Sequence, residues 1–475
     1  MPKRDPFMKS STALIVFLAT LAGFSLLEAK PVKVYIMAGQ SNMVGIGQVE
    51  GRSARWGAEF SDAKVSVYEG AFDPHKNYDN ETPIKTEPVQ QIGGTTPSEL
   101  PLGGTKVLRG MLKMATTGVY QFRPGYGDSE FCIMEVAGKE AYRMMEDKKK
   151  IYIATPMKAG EAVPFKITYL KDRLNALGWT ARMDVPGTLT TVVKHQGKFK
   201  NLLDADGEWA ARNDVWYRGV VSATANKWLS IGCGASPSQI GPELGFGNVI
   251  GDFHDEPVLL IKGSQGNRSL CWDFLPPGSE RFEVGDKVYA GYGDTPASWD
   301  KGTTPVPVNW HAGKEYNDCI IGAKKLLENF DQEFPQYKGM GYEIAGFVWW
   351  QGHKDQGDMV YAERYERNLV NLIKAVRKDF NAPNAPFVLA TIGFGGWKMD
   401  RPEALKVANS QLAVSGETGK YPEFKGNVKT VEIRDYWKPA EESPRNQDFH
   451  YNQNAETYML VGEALGKGML ELLGK

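Results

Sequence analysis

Ser41 is the residue best placed to do chemistry. It stands in Val34-Tyr-Ile-Met-Ala-Gly-Gln-Ser41-Asn-Met-Val-Gly45, directly after an apolar run, Val32 to Ala38, with the length and branching of a buried strand. A serine just past such a strand lies where open α/β sheets hold their ligands, at the carboxyl edge. The same residues also read as a polar strand-to-helix turn in which Ser41 or Asn42 is an N-cap. A serine hydroxyl attacks only when a base takes its proton, and imidazole is the usual base near neutral pH. The chain has six histidines: His75, His195, His254, His311, His353 and His450. His450 lies in Asn446-Gln-Asp-Phe-His450-Tyr-Asn452. A strand-like run, Val428 to Ile433, precedes it, and Tyr458, Val461, Leu465 and Met469 follow at helical spacing. His450 is therefore expected in a loop between the last strand and the last helix, beside Asp448.

Acyl transfer also needs donors aimed at the oxyanion. Pro257 to Lys262 reads as a buried strand that breaks into Gly263-Ser-Gln-Gly266-Asn267-Arg-Ser269. Glu343 to Trp350 reads as another, breaking into Gln351-Gly-His-Lys-Asp355. Glycine lets the backbone approach a ligand, and glutamine offers an amide donor. Either segment alone also reads as an ordinary strand-to-helix turn. The Gly-x-Ser-x-Gly elbow fails at Met43. His-Glu-x-x-His, Cys-x-x-Cys and phosphate-loop patterns are missing, so no metal, redox group or nucleotide is implied and no cofactor is expected.

Ala38-Gly-Gln-Ser-Asn-Met43, Gly241-Pro-Glu-Leu244, Ile261-Lys262 with Gly266-Asn267 and Ser269-Leu270, Trp349-Trp-Gln-Gly352 and the late His450 occur in an order that resembles the SGNH hydrolases. The similarity is to their sialate O-acetylesterase and carbohydrate esterase family 6 branch, over about 30–51 and 187–475. It implies a three-layer α/β/α sandwich and removal of O-acetyl groups from carbohydrates through an acyl-enzyme. It implies Ser41 as nucleophile, His450 as base, and an oxyanion hole from the Ser41 amide, Gly266 or the adjacent Asn267, and the Gln351 side chain. Two positions depart from the family pattern. His353 stands where a glutamate is common, and Gln447 stands where the catalytic carboxylate usually lies. Asp448 is the carboxylate assigned instead, with Asp435, Glu442 or a bare Ser-His dyad as alternatives. These departures motivate a second reading, a catalytically impaired esterase-like protein that binds carbohydrate.

Buried strands alternate with amphipathic stretches. Asp214 to Val221 and Pro386 to Ile392 read as strands. Tyr316, Cys319, Ile320, Ala323, Leu326, Leu327 and Phe330 share one helix face, and Tyr361, Tyr365, Leu369, Leu372, Ile373, Val376 and Phe380 share another. Such alternation predicts a mainly parallel sheet covered on both faces. Residues 52–186 differ: short alternating runs at Val65–Tyr68, Gly118–Phe122, Phe131–Val136, Lys149–Ala154 and Val163–Leu170 predict an inserted all-β sandwich, with turns at 125–128 and 137–139. The segment is similar to a PA14-type β-sandwich, which implies a carbohydrate-binding accessory; a spacer is the other reading.

The net charge of −1 over 475 residues gives no reason to expect nucleic acid, which would need a basic surface. Lys3, Arg4 and Lys9 followed by an apolar run from Thr12 to Leu27 predict a secretory signal over 1–29 and a secreted or periplasmic protein without stable membrane insertion. Cys132, Cys233, Cys271 and Cys319 have wide spacings, and an exported chain permits them to pair. The partner expected is an acetylated carbohydrate.

Overall fold

The computed structural model describes residues 30–474 except 52, 56–58, 71, 74–75, 90–103, 115–116, 125–130, 146–148, 170–176 and 181–184. The expected signal segment and the turn at 125–128 lie outside the described residues. Seven strands form the main sheet: β1 (Val32–Gly39), β2 (Arg212–Val221), β3 (Asn226–Leu229), β4 (Val258–Ser264), β5 (Tyr342–Trp350), β6 (Phe387–Ala390) and β7 (Val428–Val431). Their order is β3-β2-β4-β1-β5-β6-β7. Every pairing is parallel except the β2–β3 edge. β1 is thus central, paired to β4 at Lys33↔Val258 and to β5 at Lys33↔Glu343.

The period of two along β1 divides the core. Val34, Ile36 and Ala38 join one apolar cluster and Tyr35 and Met37 another. The first cluster is covered by α3 (Gly322–Glu328), α4 (Met359–Asp379) and α5 (Pro402–Ala413). The second is covered by α2 (Pro242–Phe253) and α6 (Ala455–Leu472). Continuous apolar runs therefore form strands with helices on both faces, a mixed α/β fold. The helices start where the local chemistry directs: Pro242 and Pro402 occupy first-turn positions, the Asp358 side chain accepts from Val360 N at 2.8 Å, and Asn454 accepts from Thr457 N at 3.2 Å.

The expected single helix over 316–330 is broken. A wider π-type turn at Tyr316–Ile321 leads into α3, and Asn329 (φ −116°, ψ 37°) interrupts before a short turn at Phe330–Glu333. The apolar face survives the break, because Tyr316, Cys319, Ile320, Ala323, Leu327 and Phe330 all reach the same cluster. A three-stranded sheet, Phe282–Val284, Lys287–Tyr289 and Ser298–Asp300, was not expected; its strands are three residues long and carry charges. The four cysteines are buried free thiols, so no pairing is made. Burial pushes the Cys132 thiol up to about 12 and Cys233 up to about 11.

Between β1 and β2 lie two antiparallel sheets. One has seven strands, between Phe60–Tyr68 and Ala162–Tyr169 in the chain. The other has four, including Gly118–Pro124 and Thr155–Met157. Val65, Leu108, Met134 and Ile167 from the first share one cluster with Tyr120, Phe122 and Met157 from the second. The segments before and after this stretch are tied to each other: Val49 O accepts both N and Oγ1 of Thr190, each at 2.9 Å.

Candidate active site

The carboxyl ends of β1, β4 and β5 converge. Gly39 ends β1 with φ 155°, and a Cβ there would lie 2.2 Å from Trp350 O, so only glycine fits between the strand ends. Gln40 follows, and then Ser41 opens α1 (Ser41–Val44). The Ser41 N–H heads that helix and has no intrahelical acceptor. From the end of β4 comes Gly266, so close that a Cβ on it would stand 3.9 Å from Ser41 Cβ. Asn267, next to it, is exposed in the left-handed region (φ 56°). The structure thus brings Ser41, Gly266 and Asn267 to one edge.

Gln351, the third expected oxyanion residue, is buried. Its Nε2 is engaged by Gln40 Oε1 (3.1 Å), Arg268 O (2.9 Å) and Asp355 Oδ2 (2.5 Å). With its donors committed, the amide clamps three strand ends together in place of facing an oxyanion. Gln40 Oε1 completes the clamp by accepting from Gly352 N at 3.2 Å and Lys354 N at 3.1 Å. Asp355 accepts from the Leu270 and Cys271 amides as well, and burial nonetheless pushes its carboxyl up to about 7.

His450 comes from the loop before α6, and among the described residues no hydrogen bond joins its imidazole to Ser41 Oγ. The Tyr458 hydroxyl lies 3.4 Å from both Asn42 Oδ1 and the His450 carbonyl, tying the serine and histidine segments together. Burial, and then the neighbouring His353, lower the His450 imidazole to about 4, so it is neutral and able to take a proton at neutral pH. Asp448 does not partner it. Among the described residues no hydrogen bond or ion pair joins the two side chains; Asp448 faces a cavity instead, while its N–H and that of Gln447 are held by Asn452 Oδ1, each at 3.0 Å. The reason is backbone geometry: Asp448 (φ 58°) and His450 (φ 53°) are both left-handed, not the extended pair whose side chains would point the same way. The alternatives are also occupied elsewhere. Asp435 Oδ1 accepts the Trp397 indole N–H at 2.6 Å, and Glu442 lies 3.6 Å from Lys438.

Two features escaped the sequence reading. Lys262 on β4 and Glu243 on α2 form a fully buried ion pair at 2.7 Å. Lys262 also donates to Val44 O at 2.8 Å and Cys233 O at 3.0 Å, which anchors the end of α1 behind Ser41. A lysine inside an apolar run was the available signal. The second is a cavity of about 390 Å³ beside the histidine, lined by His353, Lys398, Arg401, Trp437, Asp448 and Phe449 among others. Among the described residues no group of three or more His, Cys, Asp or Glu is placed to hold a metal ion, and no helix is long and apolar enough to cross a membrane.

An Arabidopsis thaliana protein described as a probable carbohydrate esterase is 34% identical over 89 residues, 19% of this chain and 32% of that protein, so the match spans about a third of the relative's length. Its crystal structure aligns with 56% of this chain and 88% of its own at 18% identity and a TM-score of 0.32. A carbohydrate acetylesterase from Xanthomonas citri aligns with 77% of this chain and 72% of its own at 13% identity and a TM-score of 0.33. The family model for carbohydrate esterases described as sialic acid-specific acetylesterases matches residues 201–470, a stretch that holds Gly266, Gln351 and His450 but not Ser41. The chain belongs to that carbohydrate esterase family.

Proposed function

We propose that this protein is an exported serine esterase that removes O-acetyl groups from carbohydrates. The observation that carries the reading is the approach of Gly266 to Ser41 at the carboxyl edge of a parallel sheet, with a neutral histidine tied to the same edge through Tyr458. Ser41 Oγ attacks the ester carbonyl while the His450 imidazole takes its proton. The tetrahedral oxyanion is held by the Ser41 and Gly266 N–H groups and by the Asn267 side chain. Collapse expels the sugar hydroxyl, which receives the proton from His450. Water then attacks the acyl-enzyme, again through His450, and acetate leaves. With Asp448 turned into the cavity, the machinery is a Ser-His dyad. In the same reading the parallel sheet is the three-layer SGNH core, 52–186 is an inserted β-sandwich of PA14-like kind, and 1–29 directs export.

The replacement Ser41→Ala tests the mechanism. It is expected to lower kcat on an aryl acetate by at least about 10³-fold, because only oxyanion and binding effects remain. Near-wild-type turnover would overturn the assignment. The unpartnered His450 favours a second reading, a carbohydrate-binding protein on an esterase scaffold. A fluorophosphonate probe separates the two, since only an activated Ser41 is labelled covalently.

A further inference from the structure

Trp397 is 63% exposed, the largest exposure of any aromatic side chain among the described residues. This indole is held in place along its edge and on one face. Its Nε1–H donates to Asp435 Oδ1 at 2.6 Å, and the Arg434 guanidinium carbon lies 4.2 Å from its ring centroid. Arg434 is itself held by Glu432 in a two-point pair, at 2.9 and 2.6 Å, and Glu432 also accepts from Thr391 Oγ1 at 3.1 Å. The loop beneath is a left-handed turn at Gly395 (φ 76°) and Gly396 (φ 60°); a Cβ on Gly396 would lie 3.1 Å from Arg434 O and 3.2 Å from Trp437 Cβ. A bulky apolar surface has thus been fixed in position while left in water, which costs hydrophobic free energy unless something covers it.

The place of the ring supplies the occupant. Gly395 and Lys398, on either side of it in the chain, line the cavity, and so does Phe449, another exposed aromatic residue, whose ring lies 4.7 Å from the His450 ring. At about 390 Å³ the cavity is at the small end of ligand sites, which run from about 300 to 1,000 Å³. That is room for the acetylated sugar and little more. Because its indole N–H is already bonded, Trp397 offers only a π surface, and the C–H face of a pyranose is the sugar surface that fits one.

We infer that Trp397 is a stacking platform for a second sugar residue, linked to the acetylated one in the cavity, so that the substrate is an oligo- or polysaccharide and not a single acetylated sugar. This rests on the esterase reading for the chemistry, but the platform itself is testable by binding alone. In the full chain, Trp397→Ala is expected to raise KM roughly tenfold, the equivalent of one good aromatic contact, for partially O-acetylated cello- and xylo-oligosaccharides of two to four residues. It should leave kcat unchanged, along with turnover of the acetylated monosaccharides and of 4-nitrophenyl acetate. Trp397→Phe, which keeps a ring, should retain most of the affinity and guards against a folding defect. In the Ser41→Ala background, calorimetric titration with the same oligosaccharides should show the same tenfold weakening. Equal losses for mono- and oligosaccharides, or no loss for either, would overturn the platform. Absence of turnover on every ester by the unmodified protein, with the Trp397-dependent binding intact, would overturn the esterase reading and spare the platform.

Discussion

His450 works from a backbone conformation that few side chains adopt. Its φ is 53°, and Tyr451 (49°), Asn452 (53°) and Gln453 (59°) follow in the same region, a left-handed turn of four non-glycine residues. Each such residue costs about 1–2 kcal/mol, and the surroundings hold them there. Asn452 bonds Lys438 O at 3.1 Å, Gln453 Oε1 accepts from Gln48 Nε2 at 2.8 Å, and the Tyr451 hydroxyl accepts from Gly393 N at 3.1 Å. The ring it presents is half-buried beside His353, with Phe449 edge-on at 4.7 Å. A lowered imidazole has a kinetic sign. The neutral base is the working form, so kcat/KM should rise with pH through about 4 and be level two pH units higher. His353→Asn removes the second cause of the lowering. The acid limb should then move to higher pH, while burial keeps it below the ordinary imidazole value. A pH–rate profile on an aryl acetate checks both; a limb unmoved by the substitution would show that His353 does not act on the base. Residue types were legible here, since a strand-end serine and a late loop histidine are visible in the chain. Their partners were not. Whether Asp448 meets His450 depends on two φ angles, and whether Gln351 faces substrate depends on Arg268 O and Asp355, which converge only when three strand ends meet.

At the scale of elements, long apolar runs were readable and short polar ones were not. β1, β4 and β5 have continuous apolar sequences, and Tyr458, Val461, Leu465 and Met469 do share the buried face of α6. The Phe282–Asp300 strands gave no period to read, and the break at Asn329 leaves the hydrophobic spacing intact. The most consequential unread link joins β4 to α2, the Lys262–Glu243 pair. Removing one partner of a fully buried ion pair strands the other charge, so Lys262→Met is expected to lower unfolding free energy by about 3–5 kcal/mol. Adding Glu243→Gln should recover part of that loss, because no charge is then stranded and Gly241 N, 2.8 Å from Glu243 Oε1, keeps an acceptor. Denaturant unfolding of the four members of the cycle measures the coupling; additive losses would mean the two charges do not act as a pair. The Val44 carbonyl also loses its donor, so kcat should fall with stability in the single variant.

Over the whole molecule, the two chain segments that flank 52–186 are joined on the side of the parallel sheet by the Val49–Thr190 bonds. If 52–186 is a separate domain, replacing it with a short Gly-Ser linker should preserve aryl-acetate hydrolysis, because the Ser41 edge draws its contacts from β1, β4, β5 and the His450 loop. Loss of the folded core in that variant, followed by circular dichroism and turnover, would show the two parts to be one unit. The antiparallel strands between Phe60 and Tyr169 were legible from their period-two runs. What no local pattern reveals is the pairing of Val49 with Thr190, 141 residues apart in the chain.

The strand order also sets a timetable. β1 is made first, yet its neighbours are β4 and β5, at Val258 and Glu343 for Lys33. At the ribosome's pace of about 5–20 residues per second, the strand that carries Ser41 waits roughly 10–45 s for β4 and longer for β5. During that wait Val34-Tyr-Ile-Met-Ala38 is an apolar segment with both edges open, the kind that holding chaperones capture. The strands from Ser53 to Thr180, all synthesised in the interval, pair only with one another. All the partners of the antiparallel strands are thus available in the chain while β1, the first strand of the parallel sheet, is still without neighbours.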